Sequence, residues 1–401
     1  MVKIMKKRLT SLFVSLLILF TITPALYADS ALSSFYRLHN AGLLMQDSKG
    51  QALLAEHADK PYIPASTTKL VTAWLALQHW GEGFRFQTHF YWQPQSHTLF
   101  VKGSGDPFLV SEEIAVIAQR LQKHGIQQVD TIVLDNSLFQ PDLIMPGTGR
   151  TNNPYDAVPS ALAANFNTVN IKKIKGRVVS AEPQTPLTPI ARSMGKRFRK
   201  GTLRVNTGRD PRLAEKYFAE VLLALLQQQG VKTAGTRILG GKVPQQAPFY
   251  THTNSKTLGE MLRPMLKYST NFIANQLILT LSAEYYGRAA NAQDVQNYMQ
   301  STLTKHFHWH NFTLKDGAGL SRSNRLSPRQ LVQLLDSFKR WKHLLPEIEP
   351  GVYAKSGTLN KVSTLAGFIE KNGQLKTFAL MMNQGVPYKL RNRIARELAR
   401  R

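Results

Sequence analysis

Cysteine is absent from this 401-residue chain. That excludes disulfides, thiolate metal sites and any mechanism that starts from a thiol. Acidic side chains are scarce. The 25 Asp and Glu stand against 51 Lys and Arg, a formal net charge of +26. Beyond the first 28 residues no apolar run is long enough to cross a bilayer. The 11 histidines build no site. His306, His308 and His310 alternate, so a strand would place them on one face, but no acid or thiol partner is near in sequence. No metal and no cofactor is expected. Gly103-Ser104-Gly105 and Gly317-Ala318-Gly319 lack a following Lys-Ser/Thr and read as tight turns, not phosphate cradles.

What the chain does have begins with a leader. Lys3, Lys6, Lys7 and Arg8 precede an apolar stretch at residues 12–20, and residues 24–28 read as a cleavage region. Residues 1–28 are therefore expected to be a secretory signal, and the protein exported, to a periplasm. An uncleaved anchor, which would leave it membrane-associated, is the competing reading. The remaining length suffices for two or three domains with real cores. Its basic excess favours polyanions. For an exported protein these are lipid headgroups, lipopolysaccharide or wall polymers, not nucleic acid. Two clusters concentrate the charge: Lys172, Lys173, Lys175, Arg177, and Arg192, Lys196, Arg197, Arg199, Lys200. A solvated basic face with no dedicated partner stays open beside that reading.

Three short words carry chemistry: Ser66-Thr67-Thr68-Lys69, Ser269-Thr270-Asn271 and Lys355-Ser356-Gly357-Thr358. They spell S-x-x-K, S-x-N and K-[S/T]-G in that order, a serine nucleophile with groups to move its proton and a cation-bearing edge for a carboxylate. Ser66 opens a helical pattern through Leu70, Ala73, Trp74 and Leu77, which puts Lys69 on its face. A second S-x-x-K, Ser193 to Lys196, lies in a charged, glycine-interrupted stretch and is expected to be a solvated loop. A serine hydroxyl is too weakly acidic to act alone. Histidine is unnecessary where a buried lysine is kept neutral by desolvation and neighbouring cations.

The chain resembles the serine penicillin-binding proteins, and most closely the class C low-molecular-mass D-alanyl-D-alanine carboxypeptidase/endopeptidase family of peptidase S13 type. The likeness rests on residues 64–70, 103–107, 316–322, 324–328 and 355–360, and covers nearly the whole mature chain. Thr270 stands where relatives often carry Asp, and Ser356 where they often carry Thr. Both departures keep the functional groups. The resemblance implies catalytic Ser66, Lys69, Ser269, Asn271 and Lys355. Lys69 would be the base, Lys355 the nearby charge, and Ser269 the relay to the leaving amine. Asn271 would hold the substrate amide and the lysine. Ser356, Gly357 and Thr358 would be substrate-binding, with Lys355, Ser356 and Thr358 gripping the terminal carboxylate. The backbone N–H groups of Ser66 and Thr358 would form the oxyanion hole. The implied reaction is D-Ala-D-Ala cleavage of peptidoglycan stem peptides through an acyl-enzyme on Ser66, with DD-endopeptidase action as a related outcome. β-Lactams should acylate the same serine. A β-lactamase and a non-catalytic envelope-binding protein are the alternatives.

The implied fold class is α+β: a β-lactamase/DD-peptidase-like domain, an antiparallel sheet flanked by helices, with a mixed α/β insert between the first two motifs. The boundaries read as 29–82 plus 241–401 for the penicillin-binding domain and 83–240 for the insert. A hairpin spans 42–55, and a nucleophile helix runs from about Ser66 to Trp80. Within the insert, strands at 84–92 and 98–102 precede a helix at 112–123, capped by Ser111 and ended by Gly125. A strand at 131–134 and a helix at 212–229 of unassigned domain follow. Helices at 258–266 and 272–281 flank the second motif. A strand at 352–355 leads to strands 364–370 and 375–383 around Asn372-Gly373, a strong hairpin signal. The end, residues 390–401, is a basic amphipathic helix, docked on the sheet or touching a membrane surface.

Overall fold

The computed structural model describes residues 30–196 and 200–400. The signal reading, Arg197 and Arg199 lie outside them. The central sheet is antiparallel and six-stranded, in the order Glu347–Glu349, Val352–Leu359, Val362–Lys371, Gln374–Met382, Ala41–Gln46, Ala52–Glu56. Asn372 and Gly373 both adopt positive φ (51° and 73°), the two-residue turn that matches the twist of its strands. Both faces of the sheet are covered, and strand alternation sorts the side chains. Phe378, Leu380 and Met382 pack with Phe35, Ile394 and Leu398 of the terminal helices Ala31–Tyr36 and Leu390–Arg400. Ala379 and Met381 join the opposite core with Trp74, Leu277 and Phe338. The last helix is thus docked on the sheet through Leu390, Ile394 and Leu398.

The second core holds the helices that carry two of the motifs. Thr68–Trp80 is buried at every position from Thr68 to Leu77, and Asn271–Tyr286 at every position from Asn271 to Ala283. Helices buried on every side belong at the centre of a lobe, not on its surface. This antiparallel sheet between helical layers is the α+β arrangement expected from the sequence.

The polypeptide between these helices builds two further sheets over a separate core. One has five strands in the order Tyr250–Thr253, Gln87–Gln93, Thr98–Lys102, Thr131–Asp135, Arg237–Gly240, the last three parallel. The strand Tyr250–Thr253 lies past residue 240, where the sequence placed the end of the insert. The other has three, Arg177–Ser180, Thr168–Ile174 and Gly201–Asn206. Helix Pro211–Gln228, unassigned from sequence, packs into this core through Phe218 and Leu222 beside Ile117 and Ile132.

Two local expectations are corrected. Ser111 does not cap its helix: it is the first helical residue, and Asn165 Oδ1 accepts its N–H at 2.9 Å. Ser193 sits exposed on a short helix, Pro189–Lys196, not on a loop, because Ile190 and Ala191 anchor that segment in the insert core. His306 lies on helix Ala292–Phe307 and His308 is its left-handed C-cap, so the three histidines form no strand. Among the described residues no group of His, Asp or Glu could hold a metal ion.

Candidate active site

Ser66 lies half-buried on a 3₁₀ turn, Ala65–Thr67, that feeds the helix Thr68–Trp80. Ala65 has φ 48°, a left-handed conformation that a Cβ-bearing residue adopts only under constraint. One helical turn on, Lys69 is fully buried, with Nζ 3.2 Å from Ser66 Oγ. Nζ also donates to Asn271 Oδ1 at 2.8 Å and to the Ala318 carbonyl at 2.7 Å. Burial, and after it the charge of Lys355, pushes the Lys69 ammonium well below its ordinary range, while Asp316 pulls the other way. A neutral amine has two N–H bonds and one lone pair. The two carbonyl oxygens can take both hydrogens of such an amine, and the third position of Nζ faces Ser66 Oγ.

Asn271 is the first residue of its helix, and its Nδ2 donates to the Tyr155 carbonyl of the insert at 3.1 Å. The amide therefore bridges Lys69 and the insert. Ser269 ends the preceding helix Leu258–Tyr268 in a left-handed conformation, φ 59°. The conformation is again one stored at functional positions. Ser269 lines the same cleft as Ser66.

The third motif lies on the strand Val352–Leu359. Gly357 lets that strand meet the nucleophile turn: a Cβ there would fall 2.8 Å from Ser66 N and 2.3 Å from Thr364 Oγ1. Thr364 Oγ1 instead donates to the Pro64 carbonyl at 2.8 Å and ties the two segments together. Lys355 is 1% exposed, and its Nζ donates to the Ser356 carbonyl at 2.7 Å. Burial first, then the Arg391 guanidinium, pushes its ammonium down to about 8.

The cleft thus formed has a volume of about 360 Å³ and is lined by Ser66, Ser269, Asn271, Ser356 and Thr358 from the three words. Lys69 and Lys355 lie behind it. Tyr155, Tyr268, Gly319, Leu320 and Leu359 complete the wall. Ser193, the second S-x-x-K serine, is remote from it on the insert.

Several residues of the site carried no legible role in the sequence. Arg391 Nη1 donates to the Gly357 carbonyl at 2.8 Å and to Thr358 Oγ1 at 3.0 Å. Its signal was only membership of a basic helix. Buried Asp316 accepts from the N–H groups of Ala318, Leu320 and Ser321 and from Asn324 Nδ2. Asn275 Oδ1 accepts from Gly317 N and Ala318 N. Together they shape the turn that offers the Ala318 carbonyl to Lys69. Gly319, at φ 81°, crosses so close that a Cβ would lie 1.9 Å from the Ala65 carbonyl oxygen.

Fold and cleft together define a serine acyl-transfer enzyme of the penicillin-binding type. The chain belongs to the D-Ala-D-Ala carboxypeptidase 3 (S13) family, matched over residues 28–192 and 200–350. It is a serine-type DD-peptidase. It is 26% identical over 411 residues to the D-alanyl-D-alanine carboxypeptidase DacB of Haemophilus influenzae, covering 86% of this chain and 85% of that one. The fold is similar to the crystal structure of penicillin binding protein 4 from the same organism. The TM-score is 0.73 at 23% identity over 90% of this chain and 96% of that chain. A crystal structure of that protein complexed with a β-lactam is similar too (TM-score 0.70, 22% identity, 92% and 99% covered). A predatory endopeptidase of Bdellovibrio bacteriovorus also shares the fold, with TM-score 0.53 at 16% identity over 90% of each chain.

Proposed function

We propose that Ser66 is the nucleophile and Lys69 its base. The observation that carries this is the occupancy of Lys69: both its N–H groups are held by carbonyl oxygens, and the remaining position faces Ser66 Oγ at 3.2 Å. Ser66 Oγ attacks the carbonyl carbon of the penultimate D-Ala while its proton passes to Lys69. The oxyanion that forms faces the Ser66 and Thr358 N–H groups. Lys69 passes that proton to the Ser269 hydroxyl as Ser269 gives its own to the departing nitrogen, the C–N bond breaks, and free D-Ala leaves. Water then hydrolyses the ester, and Ser66 regains its proton. Lys355, Ser356 and Thr358 hold the terminal carboxylate. Gly357 contributes by its missing side chain, and Asn271 orients Lys69 and the substrate amide.

The same chemistry cleaves a D-alanyl cross-link when the leaving amine belongs to a second stem peptide, so we assign DD-endopeptidase action as a second use of the site. β-Lactams would acylate Ser66. The division into a penicillin-binding domain and an insert is supported by the second core, built of insert residues, while Phe86, Phe139, Leu143, Met145 and Ala161 of the insert pack into the first. The basic leader supports export to the periplasm, and the basic surface suits anionic wall polymers or lipids. Intact-mass analysis with a labelled penicillin, on wild type and Ser66→Ala, tests the nucleophile. Digestion of purified muropeptides identifies the bonds cut. Labelling of Ser66→Ala at the wild-type rate would refute the assignment.

A further inference from the structure

A recess of about 740 Å³ opens beside the catalytic cleft and shares Thr358 and Leu359 with it. It lies between the turn after the third-motif strand and the start of the helix Leu390–Arg400. Arg391, Arg396, Lys361 and Lys389 line it against a single acid, Glu349. That acid is engaged: Asn392 Nδ2 donates to its Oε1 at 3.1 Å, and Arg396 Nε is 3.6 Å from its Oε2. Glu349, the one acid in the wall, is thus engaged elsewhere: Lys361 lines the recess, Lys389 lies over the Tyr388 ring, and Arg391 is held by the Gly357 carbonyl and Thr358. Arg391 reaches from the recess floor to Thr358 Oγ1 and physically joins the two cavities.

The reaction gives the cleft a direction. On the reading above, the acyl part of the substrate lies toward Asn271 and Tyr155, and the leaving part lies at Thr358. Free D-Ala ends there. A longer leaving group continues past Thr358 into the recess. We propose that this recess is a leaving-group subsite for an anionic peptide: the second stem peptide of a D-alanyl cross-link, bound through its own carboxylates by Lys361, Lys389 and Arg391. A cationic cavity at the exit of a hydrolytic site attracts such a group before cleavage and discriminates against neutral ones. The inference rests on the endopeptidase use of the site and gives it a structural basis. The exposed Tyr388 on the rim supplies an apolar surface beside the charges.

The test compares two purified substrates, an uncross-linked pentapeptide and a D-alanyl-linked peptide dimer, on wild type and on the double variant Lys361→Glu/Lys389→Glu. The ratio of kcat/KM for dimer to pentapeptide is expected to fall about tenfold in the variant, chiefly through KM. The wild-type ratio is expected to decline as salt is raised. Penicillin labelling of Ser66 verifies that the variant is folded. Lys361→Gln/Lys389→Gln carries the same comparison if charge reversal disturbs folding. An unchanged ratio overturns the proposal. So does a parallel fall for both substrates, which would make the recess a mere support for Thr358. So does an unchanged ratio with lost binding to phosphatidylglycerol vesicles, which would assign the cations to a lipid surface. A wild type that cleaves the pentapeptide but not the dimer ends this inference and leaves the carboxypeptidase reading intact. Absent labelling of Ser66 in wild type would strike the underlying mechanism instead.

Discussion

Removal of one proton from Lys355 should switch the enzyme off near pH 8. Its ammonium is held down to about 8 by burial and by Arg391. In the mechanism proposed above the charged form serves twice: it would grip the substrate carboxylate, and its charge adds to the burial that holds the Lys69 ammonium down. With a pKa near 8, roughly nine-tenths of Lys355 is charged at pH 7 and about one-tenth at pH 9, whereas an ordinary lysine stays almost fully charged at both. The second-order rate of Ser66 acylation by a labelled penicillin should therefore fall about tenfold between pH 7 and 9. Lys355→Arg keeps its charge throughout this range. Its rate should be lower overall but without the alkaline limb. A wild-type rate that stays level to pH 10, or an identical limb in Lys355→Arg, would refute the reasoning. The same group predicts a stability effect of fixed sign. Between about 8 and 10.5 the unfolded chain holds a proton that the folded one has lost, so this group's contribution to stability rises with pH across that window. Below about 8 the penalty is fully present, at about 3 kcal/mol. Lys355→Met should accordingly raise the Tm at pH 7, and the gain should shrink at pH 10.

Other outcomes follow from the same geometry. Ser66→Ala should abolish penicillin labelling, whereas Ser193→Ala should leave it at the wild-type rate, because Ser193 is exposed on a separate part of the fold. Gly319→Ala should lose acylation and about 3 kcal/mol of stability in urea melts, since its φ of 81° and the Ala65 carbonyl leave no room for a methyl group. Asp316→Ala strands three donors, Leu320 N, Ser321 N and Asn324 Nδ2, while Asn275 still holds Ala318 N, and should lose about 3 kcal/mol, read by chemical denaturation. Asn271→Ala frees one N–H of Lys69 and removes the tie to Tyr155, so acylation should slow at least about tenfold with little change in Tm.

The sequence was most legible where a short-range rule leaves few choices. Ser66 and Lys69 share a helix face because they are three residues apart, and Asn372-Gly373 turns a hairpin because both positions need positive φ. The order of the three words placed every polar residue lining the cleft except Tyr155 and Tyr268. What stayed hidden depends on tertiary contact. Arg391 is one of several arginines in a basic helix, and nothing local says that it reaches Thr358. Ser111 has the composition of a cap, but Asn165, 54 residues on, takes the role. Residues 316–321 look like a glycine turn. Only the fold shows that the Ala318 carbonyl points at Lys69. The short helix carrying Ser193 escaped because a glycine and several charges mask two anchoring apolar residues.

The strand Ala41–Gln46 finds its partner in Gln374–Met382, near the opposite end of the polypeptide. Pairings that distant in sequence are entropically expensive and form late. A chain threaded outward from its first residue cannot complete the central sheet, or bring Lys355 against Ser66, until nearly all of it has emerged. The insert, with its own core, can be folded well before that. An enzyme assembled in this order cannot act on anything until its two ends have met.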